Sequence, residues 1–167
     1  MSFIGATTLF KKEVKRFCKV YQQTIVAPAF TSLLFLLVIN VAIEDRINYD
    51  FNYIDFLAPG LIIMGMMQNS FANTSSSLLS SKVAGNIVDL LMPPFKINEI
   101  IIVYSMAAII RAFLVGFLTF IMMIPFVNFE FLNFSNLIIY TFLGSLYLAL
   151  IGLVAGIWAE KFDNMSA

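Results

Sequence analysis

Apolar residues run along the chain in four long blocks, separated by short polar segments. Residues 24–43 carry no charge, and as a helix rising 1.5 Å per residue they cover about 30 Å, one hydrocarbon core. Pro28 falls in the first turn of that helix, where a missing N–H costs little. The polar segment 44–55 follows, with four acids and a single Arg46. A second uncharged block, 56–81, opens with Pro59-Gly60 and then changes character. Asn69, Asn73, Ser76, Ser77 and Ser80 recur at helical intervals, giving this span a polar stripe. The third block, 100–127, is interrupted only by Arg111 and closes near Pro125, and the fourth runs from 137 to 159. Between them, 128–136 carries only Glu130, and Glu160-Lys161-Phe162-Asp163 ends the last block in water.

Ahead of the blocks, residues 2–19 hold five of the ten Lys and Arg and one acid. Leu9, Phe10, Val14 and Phe17 recur at helical spacing, and Lys11, Lys12, Lys15, Arg16 and Lys19 fill the other face. This is the pattern of a helix lying in the headgroup plane. The pattern predicts an all-α polytopic membrane protein: an interfacial amphipathic helix over 2–19, then four transmembrane helices. Composition agrees, since 60% of residues are hydrophobic and 12% charged, against about 25% charged in soluble domains. One core could not hide so much apolar surface in water.

The chain has no histidine and one cysteine, Cys18, which rules out an internal disulfide and His- or Cys-built metal or nucleophile–base sites. Cys18 reads as a filler on the amphipathic helix. Ser75, Ser76 and Ser77 have no acid or base beside them in sequence, and no phosphate-binding G-x-x-x-x-G-K-[ST] loop occurs. No metal or other cofactor is expected, and the chain reads as a non-enzyme. A zero net charge without a basic, aromatic-interleaved run speaks against nucleic acid. Met64, Met66 and Met67 read as packing rather than a soft-metal site. Trp158, with Tyr140 and Tyr147 on the same block, reads as an interfacial anchor.

Arg111 lies deep enough that a lipid-facing guanidinium would cost about 2.5–3.5 kcal/mol. It must face protein, a polar cavity or water. The stripe of Asn69, Asn73 and Ser77 offers partners, with Glu99 only at the membrane edge. Two roles stay open for these polar residues: glue between helices, or the lining of a translocation path.

The segment "KVAGNIVDLLMPPFKINEI", residues 82–100, breaks the pattern. Gly85 frees the chain to turn, Asn86 is placed to cap, Asp89 resembles the reciprocal half of a capping box, and Pro93-Pro94 stops the helix. The result is one short helix over 86–92 in a polar loop, 82–99. Its apolar residues cover more of the circumference than a single stripe requires, so a partner could cover the rest.

The order of these features resembles the membrane subunit of ABC type-2 transporters. The fragments "FLAPGLI", "S.K..GNI.DLL..P", "R.FLVG" and "GLVAGIWAEKFDNMS" carry the likeness in order and spacing. The resemblance implies an exporter permease of a bacterial inner membrane, moving a drug, lipid or polysaccharide-type substrate. It also implies six spans per subunit, a dimer of such subunits, and a separate ATPase subunit that binds the ATP. On that reading the short helix is a coupling helix, with Gly85, Asn86, Ile87, Asp89, Leu90, Leu91 and Pro93 on the coupling motif. Four spans against the family's six make the chain a partial transmembrane domain over 1–167, expected to be inactive alone. The rival reading is a hydrophobic anchor or scaffold subunit of a larger complex that transports nothing.

Positive charge sets the orientation. With the N-terminus cytoplasmic, Lys11, Lys12, Lys15, Arg16, Lys19, Lys82, Lys96 and Lys161 fall inside and only Arg46 outside. The loop 82–99 is then cytoplasmic. In a Cys18→Ser background, a cysteine at position 48 should label from outside, and one at 96 only after permeabilisation. The reverse pattern would overturn both the topology and the coupling role.

Overall fold

The computed structural model describes residues 3–44, 53–93, 96–129 and 133–161. All of its regular elements are helices, in the order α1 (Phe3–Lys19), a π-helical turn (Gln22–Val26), α2 (Ala27–Glu44), α3 (Tyr53–Val83), α4 (Ile87–Leu91), α5 (Ile97–Met123) and α6 (Phe134–Trp158). Arg46, Glu130, Pro94 and Phe162-Asp163 lie outside the described residues.

Among the described residues, three stretches are long and apolar enough to cross a membrane by length and composition: Gln22–Ala42, Ile97–Met123 and Ser135–Trp158. The remaining expected span lies in α3, whose 31 residues reach about 46 Å at helical rise. Its length suffices, but its amides and hydroxyls make it too polar to qualify by composition. Burial offsets that polarity. α3 is the helix on which α6 packs most extensively and α5 next, while α2 lies against α3 and α5 together and α1 packs on α5.

No open loop joins α1 to α2. Pro28 has no N–H to give, and just ahead of it the backbone ladder slips by one residue, with Ala27 N–H donating to Gln22 O. Thr24 Oγ1 donates to the carbonyls of Phe17 and Val20, each at 3.0 Å, and so supports the end of α1.

The α3–α6 seam depends on glycine. A Cβ at Gly152 would come within 2.6 Å of the Phe71 carbonyl oxygen, and one at Gly156 within 3.0 Å of the Ser75 oxygen. The two glycines are four apart, the spacing that lets membrane helices approach backbone to backbone. Ser70 Oγ donates across the seam to Ser145 O at 2.7 Å. At the end of the seam, Lys82 Nζ donates to the carbonyls of Ile157 and, at 3.1 Å, Ala159. A cation there satisfies carbonyls that the last turn of α6 leaves free, and it complements the helix dipole.

Two apolar clusters flank the middle of the bundle. Leu36, Ala58, Met123 and Val127 form one, near the α2–α3 end. Leu9, Leu78, Leu90, Val103, Tyr104 and Leu153 form the other, which joins α1 and α4 to α3, α5 and α6. Tyr140, Tyr147 and Trp158 all point outward from α6.

Candidate functional site

Between the two apolar clusters lies a buried polar network, assembled from three helices. The i, i+4 spacing puts Asn69, Asn73 and Ser77 on one face of α3, and all three are buried. From α5, Arg111 Nη2 donates to Asn69 Oδ1 at 3.0 Å and Nη1 to Asn73 Oδ1 at 3.4 Å. The stripe therefore holds the arginine, as its composition suggested. Glu99 is not involved: its carboxylate turns back and accepts the Lys96 N–H at 3.3 Å, capping α5.

The third helix is α1, whose part the sequence reading missed. Glu13 is 1% exposed, and its Oε2 accepts Ser77 Oγ at 2.7 Å. Arg16 Nη2 donates to Asn73 O at 3.1 Å and Asn73 Oδ1 at 3.2 Å, and Arg16 Nε lies 3.2 Å from Glu13 Oε2. Tyr104, buried on α5, lies close to Ser77 and Glu13. Two expectations change. The face of α1 carrying Leu9 and Phe17 is covered by protein, and Arg16 belongs to the buried side rather than the free basic face. Ser77, which has no acid beside it in sequence, has one in space. The available signal was the lone acid of 2–19, four residues from both Leu9 and Phe17 and three from Arg16.

This network can join helices, hold charge and bind ions. It holds no imidazole or thiolate to activate Ser77, and among the described residues no group of His, Cys, Asp or Glu is placed to hold a metal ion.

The second candidate element is α4. Gly85 has φ +73°, the left-handed turn the sequence implied. Asn86 stands at the N-cap position, but its side chain makes no capping bond. The expected capping box is absent: Asp89 N–H bonds the Asn86 backbone carbonyl at 3.2 Å instead. Backbone turn geometry therefore replaces the side-chain cap. Leu90 is 7% exposed and sits in the apolar cluster with Leu9 and Leu78, with Ile87 packed against it. Leu91 closes the helix, and Pro93 follows, half-buried. The outward face comprises Val88, Asp89 and Met92, the last 79% exposed. It is narrower than the apolar pattern suggested.

The sequence model of the family described as ABC-2 type transporter matches residues 6–167. The inner membrane transport permease YadH of Escherichia coli strain K12 is 31% identical over 166 residues, 98% of this chain and 65% of the relative. The proteins of that name from Escherichia coli O157:H7 and Shigella flexneri match to the same extent. The chain thus spans just under two thirds of the length of these curated relatives. No solved structure matches it.

Replacing an acceptor and replacing the charge it serves should have unequal effects. Asn73→Leu leaves two guanidinium groups short of a shared acceptor and should cost about 1.5–3 kcal/mol. Arg111→Met removes the buried charge itself and should cost less. Thermal melting in mild detergent measures both. An Asn73→Leu protein as stable as the parent would show that the network does not hold the bundle.

Proposed function

The chain belongs to the ABC-2 type transporter family, and we propose that it forms membrane-spanning permease structure of an ATP-driven exporter in a bacterial inner membrane. A separate ATPase subunit would bind and hydrolyse the ATP, and two permease subunits would pair. The cargo would be of drug, lipid or polysaccharide type. The name and location of the relatives support the transport and inner-membrane reading.

The observation that carries the ATPase coupling is the way α4 is held. A five-residue helix is far too short to be stable by itself in water. Leu90 fixes it to a cluster drawn from α1, α3, α5 and α6, so a push on α4 would reach four helices at once. Its opposite face presents Val88, Asp89 and Met92 outward, and we assign the ATPase contact to that face. With the N-terminus cytoplasmic, α4 lies on the side where ATP is available.

Two substitutions separate the faces of α4. Met92→Asp alters an exposed side chain, so membrane abundance should hold while recovery of the ATPase falls about thirtyfold, as for loss of an interface anchor. Leu90→Asp puts a charge in the apolar cluster and should lower the abundance of the chain itself. Full ATPase recovery with Met92→Asp would remove the coupling role from α4.

A further inference from the structure

The polar network is unbalanced. Glu13 is its one carboxylate, while Arg16 and Arg111 bring two guanidinium groups that share Asn73 Oδ1 at 3.2 and 3.4 Å. Donors are also left over: Arg111 Nε and Asn73 Nδ2 are buried without an acceptor. Their side chains are well enclosed, with Arg111 8% and Asn73 0% exposed. A buried surplus charge is costly unless a counter-charge lies near it, and none does among the described residues of the bundle.

The opening toward a counter-charge is at Arg16, the one member of the trio that is partly exposed, with 32% of its side chain accessible. Around α1, successive residues advance about 100°. Leu9, Glu13 and Phe17 form the buried sector, Arg16 stands at its border, and Lys12 and Lys19 come next. Lys15 and then Lys11 lie farther round. All four lysines are exposed. One turn beyond Arg16, Lys19, Tyr21, Gln22 and Gln23 line a cleft of about 210 Å³ at the π-helical turn. The basic sector thus runs unbroken from solvent to Arg16, behind which Arg111 is buried, beside helices long and apolar enough to cross a bilayer.

The geometry points to a binding site for the phosphate of an anionic phospholipid headgroup, with Arg16 as the principal contact and Lys12 and Lys19 flanking it. The phosphate would supply the missing negative charge at the mouth of the network, and the acyl chains would follow the exposed apolar face of α2, where Phe30, Leu34 and Val38 point outward. Guanidinium–phosphate pairing is charge-assisted and directional, and at this boundary it is stronger than in water. The site requires only that α1 lie at a membrane surface. It does not depend on the transport reading.

The purified chain, titrated with phosphatidylglycerol, with phosphatidylcholine and with inorganic phosphate, tests this by native mass spectrometry and thermal melting. Phosphatidylglycerol should be retained and should raise the melting temperature, and neither of the others should match it at equal concentration. Arg16→Gln should weaken phosphatidylglycerol binding about tenfold or more, and Lys11→Gln, at the far edge of the sector, should change it less than about fivefold. Glu13→Gln removes the competing carboxylate and should tighten binding severalfold, so it decides the matter should Arg16→Gln fail to fold. Equal retention of the two lipids, equal losses at Arg16 and Lys11, or unchanged binding in Glu13→Gln would overturn the site. Stabilisation by inorganic phosphate alone would replace the lipid with a soluble ligand and overturn it as well.

Discussion

A helix with a row of amides and hydroxyls cannot turn that row to lipid, because nothing in hydrocarbon can hydrogen-bond it. α3 carries such a row from Asn69 to Ser77, and the bundle covers it from three sides. α6 approaches closely enough through Gly152 and Gly156 to shelter Ser70, Thr74 and Ser75. α5 brings Arg111 to the amide oxygens of Asn69 and Asn73. α1 closes the remaining side with Glu13 and Arg16. Each partner answers a different chemical demand of the same stripe: close backbone approach, a donor and an acceptor.

The arrangement ties the periphery to the centre. α1 contributes Leu9, and α4 contributes Leu90, to the cluster that also holds Leu78, Val103, Tyr104 and Leu153. Beside that cluster lies the charged network, where any sliding of α1 over the bundle would break its side-chain bonds to Asn73 and Ser77 rather than graze apolar surface. Apolar packing tolerates small shifts, whereas buried polar networks have few alternative arrangements. The lower part of the bundle is therefore suited to move as a unit when α4 is displaced.

Much of this was legible in the sequence. The four apolar blocks correspond to α2, α3, α5 and α6, the amphipathic pattern of 2–19 to α1, and Gly85 with Pro93 to the ends of the segment bearing α4. The pairing of Arg111 with the α3 stripe followed from the cost of a lone guanidinium in lipid, which leaves few places for it to go. The part of Glu13 and Arg16 was hidden because a basic amphipathic helix looks the same whether its apolar face meets lipid or protein. Only a buried acid on that face separates the two, and a single Glu among lysines reads first as a solvated ion pair. The Asn86 cap failed for a local reason: a turn through Gly85 lets the backbone carbonyl of Asn86 take the N–H of Asp89, leaving the side chain without that role. Leu90 looked available to a partner because a five-residue helix has no periodicity to say which side faces home.

The reach of Glu13 and Arg16 from α1, which packs on α5, to the polar stripe of α3 distinguishes this arrangement from a bundle with a loose amphipathic leader, and cross-linking in native membranes measures it directly. In a Cys18→Ser background, Glu13→Cys paired with Ser77→Cys should be joined efficiently by a short bifunctional thiol reagent, because the side chains they replace touch at 2.7 Å. Lys11→Cys paired with Ser77→Cys should not be joined, because Lys11 lies on the exposed side of α1. Equal yields for the two pairs, or no product from the first, would mean that α1 does not cover the polar stripe of α3, and the account of the bundle would fail at its centre.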